Sequence, residues 1–229
     1  MLLNLDNNVV VDSHNEAQIR SIASITKLMS VLVVLRGNLD LDEVLTVVGK
    51  ESSKHIRSGM KITRNHLIEL ALISSDNLAT RTLAETFPGG YTAFLATMNQ
   101  LAQELGMSNT RYSDTTGLLS DNKSSADDIK KLVLEVENWA VYKMAANVRS
   151  TLFSAMGLKK SVLIQSNNTN WYAGRLNIVA AKTGFTNSAG RCLTMLFVHN
   201  NTRYFLIVMG AKNSEHRRKI VDSLLDKII

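Results

Sequence analysis

At 229 residues, with 45% hydrophobic and 20% charged residues, the chain fits one large globular domain or two subdomains sharing a cleft. Its single cysteine, Cys192, excludes an intrachain disulfide and argues against a thiolate cluster, and the five histidines show no metal-ligand spacing, so no cofactor or metal is expected. The net charge of +6 attracts polyanions in general, but only Lys212 and Arg217-Arg218-Lys219 approach a basic run, and nucleic acid is not expected as a partner.

Met1–Leu5 and Val9–Asp12, joined at Asp6-Asn7-Asn8, read as a hairpin. The start lacks a basic region, a long apolar run and a small-residue cleavage site, so no signal peptide is expected in this chain; a trimmed form or a phage-borne one would fit. A helix is predicted from about Ser24, with Leu28, Val31, Leu32 and Leu35 on its apolar face and Gly37 as its stop. That run falls short of the roughly 18 apolar residues of a membrane span. Leu67–Ile73 and Leu78–Phe87 read as helical up to Pro88-Gly89-Gly90, and Tyr91–Leu105 up to Gly106. Ala126–Val136 follows, opened by Ser125 with Asp128 as a capping box. The period then changes: Ile178–Ala181, Cys192–Val198 and Tyr204–Met209 are strand-like, and a final amphipathic helix covers about Ser214 to Ile228. Strands at both ends predict an α/β (α+β) fold, one antiparallel sheet flanked by helices. We expect a single catalytic domain over 1–229, with an α/β part at about 1–50 and 150–229 and a helical subdomain inserted at about 51–149.

Three short motifs carry the chemistry. In Ser24-Ile25-Thr26-Lys27, helical spacing puts the Lys27 amine beside the Ser24 hydroxyl. Serine is a poor nucleophile until a base takes its proton, and the positive potential of a helix start favours both an alkoxide and a neutral amine. Ser75-Asp76-Asn77 lies where two helical runs meet. From there Ser75 can relay a proton to a leaving amine, and Asn77 can hold the Lys27 amine and a substrate amide. Lys182-Thr183-Gly184 lies on a strand, where Lys182 adds charge, Thr183 can bind a carboxylate and Gly184 lets a substrate backbone approach. The N–H groups of Ser24 and Phe185 would form an oxyanion hole. Ser-x-x-Lys alone is expected about once by chance in such a chain, and a second copy, Ser120-Asp121-Asn122-Lys123, reads as a polar turn with a solvated lysine. Ser13-His14-Asn15 and Ser166-Asn167-Asn168 also match Ser-x-Asn and read as loops.

The triplet in this order resembles that of β-lactamases and penicillin-binding proteins. Longer strings are similar to the low-molecular-mass penicillin-binding proteins, the D-alanyl-D-alanine carboxypeptidases and endopeptidases, and most similar to the D,D-endopeptidase branch. They are Ile22–Met29, Ala71–Asn77, Phe87–Tyr91, Leu105–Met107, Thr116–Leu118, Asn168–Asn170 and Lys182–Gly190. The resemblance implies a β-lactamase/transpeptidase-like fold with its active site where the sheet and the helical subdomain join. It implies Ser24, Lys27, Ser75, Asn77 and Lys182 as catalytic, and Thr183, Gly184, Phe185 and Thr186 as substrate-binding. It also implies an arginine after the last strand that holds a substrate carboxylate; the register of Met209-Gly210-Ala211 puts this role on Arg217. The implied partners are peptidoglycan stem peptides, with β-lactam antibiotics as covalent inhibitors, and the implied place of action is the periplasm or cell wall.

The nearest rival is a class A β-lactamase, which needs a glutamate between the second and third motifs with an asparagine four residues on. None of Glu85, Glu104, Glu135 and Glu137 has that asparagine, so slow deacylation is expected. A non-catalytic wall-binding module would be marked by loss of Ser24 or Lys27, and both are present. A basic nucleic-acid binder would show salt-dependent DNA affinity and no acylation. Carboxypeptidase and endopeptidase action use the same constellation, and both remain open.

Overall fold

The two ends of the chain meet in one antiparallel sheet. The computed structural model describes residues 1–228. β1 (Leu2–Asn4) and β2 (Val9–Asp12) form the expected hairpin, with Asn8 taking the positive φ (55°) that the turn requires. After β3 (Arg20–Ser21), one 3-10 turn (Ala23–Ile25) runs into α1 (Thr26–Arg36). Regular helix therefore starts at Thr26 rather than at about Ser24, because Ala23 is left-handed (φ 47°) and tightens the entry. Every residue from Thr26 to Leu35 is buried, so α1 is a central core helix.

β4 (Val44–Thr46) and β5 (Lys61–Thr63) lead to α2 (Arg64–Glu69), which passes through one π turn (Leu70–Ser74) before α3 (Asn77–Glu85). α4 (Gly90–Glu104), β6 (Lys123–Ser124) and α5 (Ala126–Val136) follow. Ser125 accepts from Asp128 N–H as expected. The Asp128 carboxylate, however, turns to Asn109 N–H (2.7 Å) and the Thr110 hydroxyl (2.9 Å), so only half of the predicted capping box forms. α6 (Ala140–Asn147) and the hairpin of β7 (Ser150–Met156) with β8 (Ser161–Asn167) were not expected from the sequence. Leu152, Met156 and Leu163 point outward while Ser166 points inward, which blurs the two-residue alternation that marks a strand. The Ser166-Asn167 pair read as a loop is thus the end of β8.

β9 (Asn177–Thr186), β10 (Gly190–His199) and β11 (Thr202–Ala211) precede α7 (Ser214–Leu225). Asn200 and Asn201, both at positive φ (48° and 60°), make the two-residue turn that suits the twist of paired strands. The main sheet has the order β2-β1-β11-β10-β9, and β4-β5-β7-β8 form a second, smaller sheet. Met1 is stitched into the main sheet: its amine donates to Ile207 O at 2.9 Å. Strand alternation then splits neighbours between two cores. Leu3, Leu196, Phe205 and Ile207 face α1 and the helices around it. Leu2, Leu193, Met195 and Leu206 face Val221, Leu224 and Leu225 of α7. Each fully buried aliphatic side chain contributes about 1.5–3 kcal/mol relative to exposure. Among the described residues, no helix is long and apolar enough to cross a membrane, and no cluster of His, Cys, Asp and Glu could hold a metal.

Candidate active site

Ser24 is held in the tight turn ahead of α1 by its neighbours' backbone. Ala23, without glycine's freedom, sits at φ 47°, an arrangement that costs about 1–3 kcal/mol and persists only where the surroundings enforce it. Two glycines enforce it. A Cβ on Gly117 would lie 1.9 Å from Ala23 O, and one on Gly184 would lie 3.1 Å from Ser24 N. The Ala23–Ser24 peptide is thus pressed between the loop at 114–119 and strand β9. Ser24 N–H belongs to the first turn of helix, where N–H groups lack an intrahelical acceptor.

Lys27 points back along the helix to Ser24 and is fully buried. Its Nζ lies 2.9 Å from Ser24 Oγ, 2.7 Å from Asn77 Oδ1 and 2.7 Å from Thr116 O. Both carbonyl oxygens can only accept, so they take two N–H groups of the amine. In a neutral amine, that leaves one lone pair directed at the Ser24 hydroxyl. Burial lowers the Lys27 pKa to about 7, against the smaller opposing pull of the Asp114 and Asp76 carboxylates.

The residues of Ser75-Asp76-Asn77 divide the work among themselves. Ser75 ends the π turn in the left-handed region (φ 62°) and lines the cleft. Asp76 caps α3 by accepting from Ala79 N–H, and also accepts from the Ser53 hydroxyl. Asn77, the first residue of α3, is therefore aimed at Lys27.

The Thr116 carbonyl is placed by Asp114, which accepts from the N–H groups of Thr116, Gly117 and Leu119 and from the Thr116 hydroxyl. Asn122 locks the loop from behind. Its side chain accepts from Ser113 and Asp114 N–H and donates to Asp114 O and the Thr26 hydroxyl. The polar turn expected at Ser120–Lys123 needs correcting on this point: Ser120, Asp121 and Lys123 are exposed, but Asn122 is fully buried and braces the site.

From the third motif, Thr183, Gly184 and Phe185 line the cleft. Thr183 donates to the Thr169 hydroxyl at 2.6 Å. Lys182 is 1% exposed beneath the cleft floor, and its amine donates to Thr183 O. Burial, then the nearby Lys27 and Arg217 charges, push its pKa well down. Thr186 stands apart from the cleft: its hydroxyl accepts from Ala189 N–H in the β9–β10 turn. Its expected substrate-binding place is not where the structure puts it.

Arg217 projects from the first turn of α7 into the cleft, with Nη1 donating to Cys192 O at 3.1 Å. Arg191, which the motifs did not indicate, lies over the Phe185 ring at 3.7 Å and reaches the same space. The cleft measures about 400 Å³ and its lining holds two guanidinium groups and no carboxylate, an arrangement that favours an anionic ligand. Glu85, Glu104, Glu135 and Glu137 all lie elsewhere, bonded to Arg81, Gln100, Arg36 and Arg203. Sequence reasoning also missed Leu118, Thr169 and Ser214 in the lining, and Asp114 behind it. Thr116–Leu118 and Asn168–Asn170 had stood out as strings, but nothing local says what they touch.

The chain belongs to the D-alanyl-D-alanine carboxypeptidase family, whose model matches residues 1–213. It is 37% identical over 217 residues to the D-alanyl-D-alanine endopeptidase of Escherichia coli (strain K12), an alignment covering 92% of this chain and 70% of that protein. It is likewise 37% identical over 214 residues to the D-alanyl-D-alanine endopeptidase of Pseudomonas aeruginosa, covering 88% and 67%. The Streptomyces K15 DD-transpeptidase shares the fold, with a TM-score of 0.90 over 99% of this chain and 94% of that one at 21% identity. Arg217 lies beyond the residues the family model matches, so its placement rests on geometry.

Proposed function

We propose that this chain is a serine D,D-peptidase of the cell wall that cleaves D-alanyl peptide bonds in peptidoglycan stem peptides through an acyl-enzyme on Ser24. The observation that carries the reading is the Lys27 amine, whose two carbonyl partners leave its lone pair for the Ser24 proton. Ser24 Oγ attacks the scissile carbonyl as its proton passes to Lys27 Nζ. The N–H groups of Ser24 and Phe185 stabilise the oxyanion. As the amide C–N bond breaks, Ser75 gives its hydroxyl proton to the departing amine and takes in its place the proton held by Lys27, which restores both groups. Water then cleaves the Ser24 ester, releasing the acid and restoring the hydroxyl. Arg217 holds the carboxylate of the leaving residue, and Thr183 and Gly184 line its path. Buried Lys182 donates to Thr183 O and so supports the strand that lines the cleft. The cleft lies where strand β9 of the main sheet meets Ser24 ahead of α1, Ser75 and Asn77 at the start of α3, and Leu118 of the loop at 114–119.

A β-lactam presents a strained amide and a carboxylate to the same groups. Its ring-opened leaving group stays attached, and no lining carboxylate can activate water. The adduct should therefore persist for minutes or longer. Incubation with benzylpenicillin should give one covalent adduct by intact-mass spectrometry, mapped to Ser24 and missing from folded Ser24→Ala. Rapid turnover without an adduct would favour a β-lactamase, and neither adduct nor hydrolysis would leave a binding module.

A further inference from the structure

A second pocket, of about 430 Å³, opens beside the cleft and shares Thr169, Ser214 and Arg217 with it. Beyond Arg217 its lining is Asn168, Trp171, Tyr172, Glu215 and Arg218. Trp171 is 51% exposed, an unusual position for so large an apolar surface. The Arg175 guanidinium rests 3.9 Å from its ring centre and that of Arg218 lies 5.4 Å away. The wall behind is rigid. The Asn168 amide donates to Ala145 O and Val148 O, and Tyr172 OH donates to Asp222 at 2.6 Å. Of the nearby carboxylates, Glu215 pairs with Lys219 at 3.0 Å, and Asp222 takes the tyrosine and lies 3.8 Å from Arg218, a solvent-exposed pairing that a ligand carboxylate can replace. What remains is a flat indole platform among arginines, continuous with the place where the leaving residue sits.

We propose that this pocket binds an acidic peptide branch carried on the side chain of the leaving residue, as in a cross-link between two stem peptides. The inference rests on the serine-peptidase reading above. With its carboxylate on Arg217, a leaving residue has its side chain at the mouth of this pocket. A leaving alanine offers only a methyl group and leaves the pocket empty. An extended side chain, itself acylated by a second peptide, lays its methylenes on Trp171 and its carboxylates beside Arg175 and Arg218. Trp171 is then a specificity-determining residue for cross-linked over linear substrates.

The test compares purified cross-linked muropeptide dimers with a linear peptide ending in D-Ala-D-Ala. Trp171→Ala should lower the ratio of kcat/KM for dimer to that for linear peptide by about tenfold, through KM. Trp171→Phe, which keeps an aromatic platform, should restore most of that ratio. Independently, dimers should change the tryptophan fluorescence of Ser24→Ala, and this change should vanish in Ser24→Ala/Trp171→Phe. A ratio that does not move, or a fall shared equally by both substrates, would overturn the proposal while wild-type protein still forms the penicillin adduct. Failure of the wild type to form that adduct would overturn the serine reading and this inference with it.

Discussion

Lowering the pH below about 7 should protonate Lys27 and remove the base that activates Ser24. With the pKa at about 7, roughly one amine in a hundred is neutral at pH 5, so acylation should fall to about one hundredth of its plateau. A chromogenic cephalosporin followed by stopped flow from pH 5 to 9 measures this directly. Lys27→Arg should not acylate at any of these values, because guanidinium stays protonated. The same ionisation governs stability. In the unfolded chain Lys27 titrates near 10.5 and in the folded chain near 7, so between these values the unfolded chain holds one proton more. Stability must then rise with pH across that window, by about 1.4 kcal/mol per pH unit from this group, for a total of about 5 kcal/mol. Lys182, also lowered by burial, acts with the same sign, whereas Tyr112 and Tyr142, raised by burial, act oppositely above about pH 10. Urea unfolding of wild type and Lys27→Met from pH 7.5 to 9.5 isolates the Lys27 contribution as a difference in slope. A flat acylation profile below pH 7, or parallel stability curves for the two proteins, would refute a neutral Lys27.

The glycine clamp gives a second prediction: Gly117→Ala should lower acylation at least about a hundredfold, because its Cβ would meet Ala23 O at 1.9 Å and displace Ser24. Near-normal acylation of that variant would show that the turn is not held there. Ser120→Ala should leave acylation within about twofold, whereas Asn122→Ala should cost about 2–4 kcal/mol in unfolding experiments by stranding buried partners. Equal effects at both positions would contradict the bracing role of Asn122. Arg217→Ala should weaken cleavage of peptides ending in a free D-Ala carboxylate by about 2–3 kcal/mol in kcat/KM, the scale of a charge-assisted hydrogen bond. Unchanged kinetics would make Arg217 a structural residue that only supports Cys192 O.

The nucleophile and its base were legible in the sequence because they obey a local rule. Residues three apart on a helical turn share a face, which is enough to suggest that Ser24 and Lys27 meet. The N-terminal hairpin and the Ser125 cap were legible for the same reason, since turn and cap preferences act over a few residues. The β7–β8 hairpin was not, because its exposed leucines and buried serine hide the alternation until the side that packs inward is known. Nor could local pattern reveal that Thr116 O, 89 residues from Lys27, completes the amine's hydrogen bonds. The same holds for Asn122, which resembled a solvated turn, and for Arg191, which reaches the cleft through its pairing opposite Phe185. Thr186 shows the converse, a residue next to the motif that strand geometry carries out of the cleft and into a turn. The sequence by itself determined which groups could act as nucleophile and base. Tertiary structure alone decided that the base is buried deeply enough to lower its pKa to about 7, because desolvation depends on everything that packs around it and not on its neighbours in the chain.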